Sequence, residues 1–243
     1  MSLTLEMHEG RALLTMPEEG KFNPDSLAAF HSALDAALAD DTAALLLITG
    51  RDKHFAQGLD LDYLYSAAPD DAVQFVNDCM RMVGRLLEFP LPVVSAINGH
   101  AFGLGFMIAI ASDYRVMRSD RGFLCLPEID LGMTLIPSMN ALVTGKLNGS
   151  LLRDMLLAGK RIGVVAGSSS VAVARQAVAD ATLVTVRSLP ALLVLGQLRS
   201  LASMCRKAFA CGVLKRCSMS RPRPRRSYTA AAMRQGSRAA RSA

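Results

Sequence analysis

Acidic residues all but vanish from the last third of this 243-residue sequence. Residues 163–243 contain one, Asp180, against 14 lysines and arginines, which leaves 13 of the 27 basic and 20 of the 21 acidic residues in front of them. The formal charge of +6 is therefore that of an acidic body of −7 joined to a basic region of +13. Arginines without acids to pair them, and without a steady amphipathic period, predict partial disorder, most of all in about the last 25 residues.

Other absences narrow the chemistry. The five cysteines (Cys79, Cys125, Cys205, Cys211 and Cys217) form no CxxC pair and lack the histidine spacing of a zinc site, so free thiols and no metal are expected. No GxxxxGK[ST] phosphate loop is present, and Gly99, Gly103 and Gly105 are spaced GxxxGxG instead of the GxGxxG of a dinucleotide fold. The opening "MSLTLEMHEG" has no basic segment ahead of an apolar block, which predicts no secretory signal or presequence. The uncharged stretch Val93–Ser112 is interrupted by Asn98, His100 and the three glycines, so it reads as a strand, a turn and a buried helix instead of a membrane span.

What is present is an alternation of short apolar runs and amphipathic segments through the first 160 residues or so, the pattern of a layered α/β fold. Residues 12–16 and 43–50 read as strands, the second buried on both faces. Between them Asn23 caps a helix with Pro24 at its first position and Leu27, Phe30, Leu34 and Leu38 on one face. Residues 71–88 recover a helical period through Val73, Val76, Met80, Val83 and Leu87, and Pro90 and Pro92 mark entry into another buried strand. "DYRVM" reads as a strand, "FLCLPEIDLG" as a strand end and loop, and residues 138–160 as two helices around "LNGS".

Two glycine-bearing loops, "FAQGLDL" and "NGHAFGLGF", each follow a buried strand and are suited to aiming backbone N–H groups at an anion or a carbonyl oxygen. Their order, with a helix of about twenty residues between them and "PEIDLGMTLIP" after them, resembles the crotonase, or enoyl-CoA hydratase/isomerase, superfamily. The "NGHA" turn and the methionine at position 107 make the chain most similar to plant peroxisomal Δ3,Δ2-enoyl-CoA isomerases. The resemblance covers residues 3–162 and implies a crotonase-like ββα spiral fold there, with 1–162 as an acyl-CoA-binding domain and 163–243 as an atypical basic region in place of the family's C-terminal helices.

The same resemblance implies roles for particular residues. The backbone N–H groups of Leu59 and Leu104 form an oxyanion hole for a thioester carbonyl, and Glu128 is the catalytic base. Ala56, Gln57, Gly58, Asp60 and Gly105 surround the substrate and its coenzyme A, which is part of the substrate and no separate cofactor, with Lys53 near its phosphates. From local sequence alone, Asp60 and Asp62 read as caps of the following helix, Glu128 as a solvated carboxylate, and His100 as a satisfied turn histidine. Hydratases carry a second glutamate where this chain has Met107, so the resemblance implies a double-bond shift from 3-enoyl-CoA to trans-2-enoyl-CoA instead of water addition.

The resemblance also implies a homotrimer or hexamer and a peroxisomal location, although the chain ends in "RSA" without an SKL-type signal, for which a cytoplasmic location is the alternative. Rival readings are an enoyl-CoA hydratase, an inactive acyl-CoA-binding pseudoenzyme, or binding of nucleic acid or an anionic surface through "RPRPRR". Tyr228 is the only aromatic residue near that cluster, which gives base stacking little support.

Overall fold

A computed structural model describes residues 2–118 and 120–162 and, as backbone alone, 183–186. All of these fall in the first of two units, residues 1–202. The expectation of disorder after residue 163, Cys205, Cys211, Cys217 and the arginine cluster around Tyr228 lie outside the described residues.

Six strands form the central sheet: β1 (Thr4–His8), β2 (Arg11–Thr15), β4 (Leu45–Thr49), β7 (Val93–Ile97), β9 (Tyr114–Arg118) and β11 (Leu183–Val186), side by side in that order. β1 and β2 are an antiparallel hairpin, and the remaining pairs are parallel. Every residue of β4 and β7 is buried, as the unbroken apolar runs require. Their side chains divide by the two-residue period of a strand. Leu46, Ile48, Val93 and Ile97 join the main core, while Leu45, Leu47, Val94 and Ala96 join a smaller cluster with Val116.

The helix α1 (Pro24–Ala39) starts as its sequence dictates. Asn23 Oδ1 accepts from Ser26 N–H while Ser26 Oγ accepts from Asn23 N–H, a reciprocal capping box with Pro24 at the first position. Its buried face is Leu27, Phe30, Ala33, Leu34 and Ala37, while Leu38, expected on that face, is 42% exposed at the end of the helix.

In α3 (Pro69–Leu87) the face seated in the core is Phe75, Cys79, Met80, Met82, Val83 and Leu86. Val73 and Leu87, expected on that face, are exposed. α3 carries a second apolar stripe through Val73 and Val76, and that stripe looks onto a cavity.

The stretch after β7 forms β8 (His100–Phe102) and then α4 (Leu104–Ala111), whose eight residues are all buried. A helix apolar all round belongs inside a core. Among the described residues no helix is long and apolar enough to cross a membrane. β8 lies between β5 (His54–Ala56) and β10 (Leu124–Cys125) in a three-stranded parallel sheet, and β3 (Lys21–Phe22) pairs with β6 (Gly58–Leu59). The helices α2 (Leu61–Ser66), α5 (Pro137–Lys146) and α6 (Gly149–Leu156) complete the described part.

Candidate active site

Two loops leaving the C-terminal ends of β4 and β7 are pinned together. Asn98, at the end of β7, accepts from Gly50 N–H and donates to the carbonyls of Asp52 and His54. His100 N–H donates to Lys53 O at 2.9 Å. Farther along, Gly58 has φ +98°, and a Cβ there would stand 2.8 Å from Phe102 O and 3.3 Å from Leu104 N. The backbone next to Leu59 thus touches the backbone at Leu104, and only glycine permits the approach.

Leu59 sits in β6 opposite Phe22. Leu104 is the first residue of α4, behind Gly103, which has no side chain to cap the first turn. Its N–H finds no acceptor among the described residues, so it remains one of the orphan donors at the positive end of the helix.

A third segment brings the carboxylate. β10 is tied to β8 through Ala101 N–H to Phe123 O and Gly103 N–H to Cys125 O, and the chain then turns at Pro127 and Glu128. Leu131 N–H donates to Pro127 O and Met133 N–H to Glu128 O, which fixes that turn. Glu128 Oε2 is buried without a hydrogen-bond partner. Burial holds the carboxyl above its ordinary value of 4.5, with a hydrogen bond from its own backbone N–H acting in the other direction.

Leu59, Leu104 and Glu128 line one cavity of about 510 Å³, together with Gln57 and Gly103. Its apolar walls come from Leu61, Leu64 and Tyr65 of α2, from Val73 and Val76 of α3, and from Leu131, Met133, Ile136 and Met139. Glu128 is the one carboxylate among the described lining residues. A carboxylate of raised pKa that lines the same apolar cavity as the start of a helix is equipped to move a proton while negative charge grows on a neighbouring oxygen.

Other expected site residues stand behind the wall. Ala56 is fully buried, Gly105 packs against it, and Asp60 caps α2 by accepting from Asp62 N–H at 3.2 Å. Met107 is 0% exposed within the core. His100 departs from the expectation of a satisfied turn residue: its Nδ1 is buried without a partner, and the ring is held by stacking on Phe123 and by His54 and Phe102. The apolar wall from α2 and α3 is not foreseen from the sequence, where Val73 and Val76 read as part of one helix face.

A larger open groove, about 730 Å³, runs between α1 and α3. Its arginines are already matched, Arg85 bonding His31 Nδ1 and Asp35, and Arg81 bonding Asp78. Chemistry is therefore assigned to the smaller cavity. Among the described residues no group of three histidine, cysteine, aspartate or glutamate side chains is placed to hold a metal ion.

A family model described as enoyl-CoA hydratase/isomerase matches residues 13–213. The chain belongs to the enoyl-CoA hydratase/isomerase family. The match runs past Ile162, where the motif resemblance stops. The chain is 37% identical over 166 residues to enoyl-CoA delta isomerase 3 of Arabidopsis thaliana, covering 65% of this chain and 70% of that one. It is 33% identical over 138 residues to crotonyl-CoA hydratase of Syntrophomonas wolfei, covering 55% and 52%. The fold is that of solved family members. The apo Mtb enoyl-CoA isomerase superposes with a TM-score of 0.71 at 22% identity over 86% of this chain and 88% of the other. An enoyl-CoA hydratase from Mycobacterium ulcerans gives 0.69 at 22% identity over 83% of both.

Proposed function

We propose that the protein is a Δ3,Δ2-enoyl-CoA isomerase acting in the breakdown of unsaturated fatty acids. The observation that carries this reading is the single carboxylate, Glu128, whose Oε2 is buried without a partner in an apolar cavity that Leu59 and Leu104 also line. The thioester carbonyl accepts from the N–H groups of Leu59 and Leu104. Glu128 removes a proton from C2 of a 3-enoyl-CoA, the electrons spread into a dienolate whose oxygen those donors stabilise, and Glu128 returns the proton to C4. Loss of one such donor typically costs about 10²–10³ in rate.

The coenzyme A moiety lies along the first loop, with Gln57 beside the adenine and Lys53 beside phosphate, while Gly58, Asp60, Gly105 and the buried Ala56 shape that loop from behind. A single carboxylate suffices to shuttle one proton, whereas water addition in this family uses two acids, so the lone Glu128 supports isomerisation over hydration. The plant isomerases' names support the same choice, and two of them carry the word peroxisomal, which supports that location here.

The test is conversion of 3-hexenoyl-CoA to 2-hexenoyl-CoA by the purified full-length chain, beside Glu128→Gln and a crotonoyl-CoA hydration control. Glu128-dependent isomerisation without hydration is the expected result. Hydration at a comparable rate would favour the hydratase reading, and acyl-CoA binding without turnover the pseudoenzyme reading.

A further inference from the structure

Arg115 of β9 is only 6% exposed, yet no described carboxylate hydrogen-bonds to it. The nearest acid in sequence, Asp113, spends its carboxylate on Val93 N–H. A buried guanidinium is expensive unless its donors are matched. Here Nη1 donates to the carbonyls of Ala109, Ile110 and Ser112, and Nη2 to that of Asp113, while Nε is left without a partner. Those acceptors are the buried carbonyls at the C-terminal end of α4 and the carbonyls of the residues just after it, the negative end of the helix, where no further turn supplies donors.

α4 needs such an anchor. Its sequence, "LGFMIAIA", offers no polar side chain, and its first residue follows an N-cap with no side-chain hydrogen bond. The side-chain attachments lie at the far end: Arg115, and Ser112, whose hydroxyl donates to Ile108 O and meets Ser95 Oγ at 2.7 Å, while the near end is held by the backbone bond from Gly103 N–H to Cys125 O. Arg115 itself belongs to the sheet, in register with Ser95 of β7. The helix is about 12 Å long, and its other end brings Leu104 to the cavity wall.

We infer that Arg115 is a positioning residue for the oxyanion hole, fixing the axial place of α4 against the central sheet and thereby the place of Leu104 N–H. Its catalytic consequence rests on the isomerase reading, but its structural content does not.

The test uses full-length protein with Arg115→Met and Arg115→Lys. Hydrogen exchange at residues 107–108, which begin with the first bonded amide of α4 (Met107 N–H to Gly103 O), is expected to quicken about tenfold in Arg115→Met while β4 and β7 keep their protection. The red shift in absorbance of bound 2,4-hexadienoyl-CoA, which reports polarisation of the thioester carbonyl, is expected to shrink. kcat for 3-hexenoyl-CoA is expected to fall about 10–100-fold with KM within about threefold, and Arg115→Lys to recover part of each change. Unchanged exchange at 107–108 would overturn the inference, as would an increase spread evenly over β4 and β7. A wild-type protein that neither binds nor isomerises acyl-CoA would defeat the isomerase reading instead, and exchange alone would then decide whether Arg115 sets the place of the Leu104 amide.

Discussion

Gly105 lies so close to Ala56 that a Cβ on it would stand 2.5 Å from the Ala56 carbonyl oxygen and 2.7 Å from the Ala56 Cβ. Both obstacles belong to fixed structure, since Ala56 ends β5 and is fully buried. Gly105→Ala must therefore push α4 away from the loop that carries Leu59. The expected result is a loss of about 10²-fold in kcat for isomerisation, with a stability loss of about 1–3 kcal/mol. Urea unfolding and initial rates on 3-hexenoyl-CoA check the two parts separately.

Glu128 carries opposite consequences for activity and stability. Glu128→Gln removes the base, with an expected loss of about 10²–10⁴-fold in kcat. Its carboxyl is held above 4.5 in the folded protein, so kcat/KM should decline on the acid side with a midpoint above that value. The folded state holds this proton more tightly than the unfolded chain, so its contribution to stability is full below 4.5 and is lost as pH rises through the folded value. At neutral pH the buried charge is a burden, and Glu128→Gln should raise Tm. A lowered Tm at pH 7 would show that the ionised carboxylate has partners the structure does not reveal.

Restoring an acid at position 107 is not expected to create a hydratase. Met107 is 0% exposed in the core and does not line the cavity. Met107→Glu buries a charge without a partner, for an expected cost of about 3–5 kcal/mol, whereas Met107→Leu should cost less than about 1.5 kcal/mol. Gain of crotonoyl-CoA hydration by a stable Met107→Glu protein would contradict this placement.

His54 and His100 make the site acid-sensitive through packing. Burial is the main cause that lowers both, assisted at His54 by His100 and Lys53 and at His100 by Arg161 and Lys53, with Asp52 opposing at His54. The unfolded chain then binds protons first as pH falls, so this stability is full above 6.5 and is lost as pH drops through the lower folded values. Wild-type protein should lose urea resistance between pH 7.5 and 5.5 more steeply than a His54→Gln, His100→Gln double variant, in roughly the window about one unit either side of a histidine's usual value.

Legibility from sequence followed the length scale of the signal. The Asn23–Pro24 start of α1 and the buried runs of β4 and β7 are local patterns, and each element appears where its residues place it. β1 escaped notice because "TLEMH" is half exposed, with no buried residue to mark a face. The face of α3 was misread because an apolar stripe lining a cavity has the same period as one lining a core, and only the tertiary arrangement separates Val73 from Val83. Within the site, Leu59, Leu104 and Glu128 were picked out by motif, and the structure brings them to one cavity. Arg115 carried no such signal, since its partners are backbone carbonyls that any sequence supplies.

Asn98 is the strongest case of a side chain whose effect reaches both loops at once. It is 0% exposed, and its carboxamide satisfies Gly50 N–H at 3.0 Å and the carbonyls of Asp52 and His54 at 3.2 and 3.3 Å. Asn98→Ala leaves the Gly50 N–H buried without an acceptor and opens a small void, for an expected cost of about 2–4 kcal/mol. The two loops diverge from this crossing, one toward Leu59 and one toward Leu104, so the spacing of the two N–H groups should relax along with it. kcat per folded molecule should fall about tenfold or more, while the pH at which Glu128 titrates stays put, because that residue hangs from β10. A stability loss with kcat intact would mean that the crossing supports the fold alone and that the donors are aligned by the contacts farther along, where Gly58 meets Phe102 and Gly105 meets Ala56.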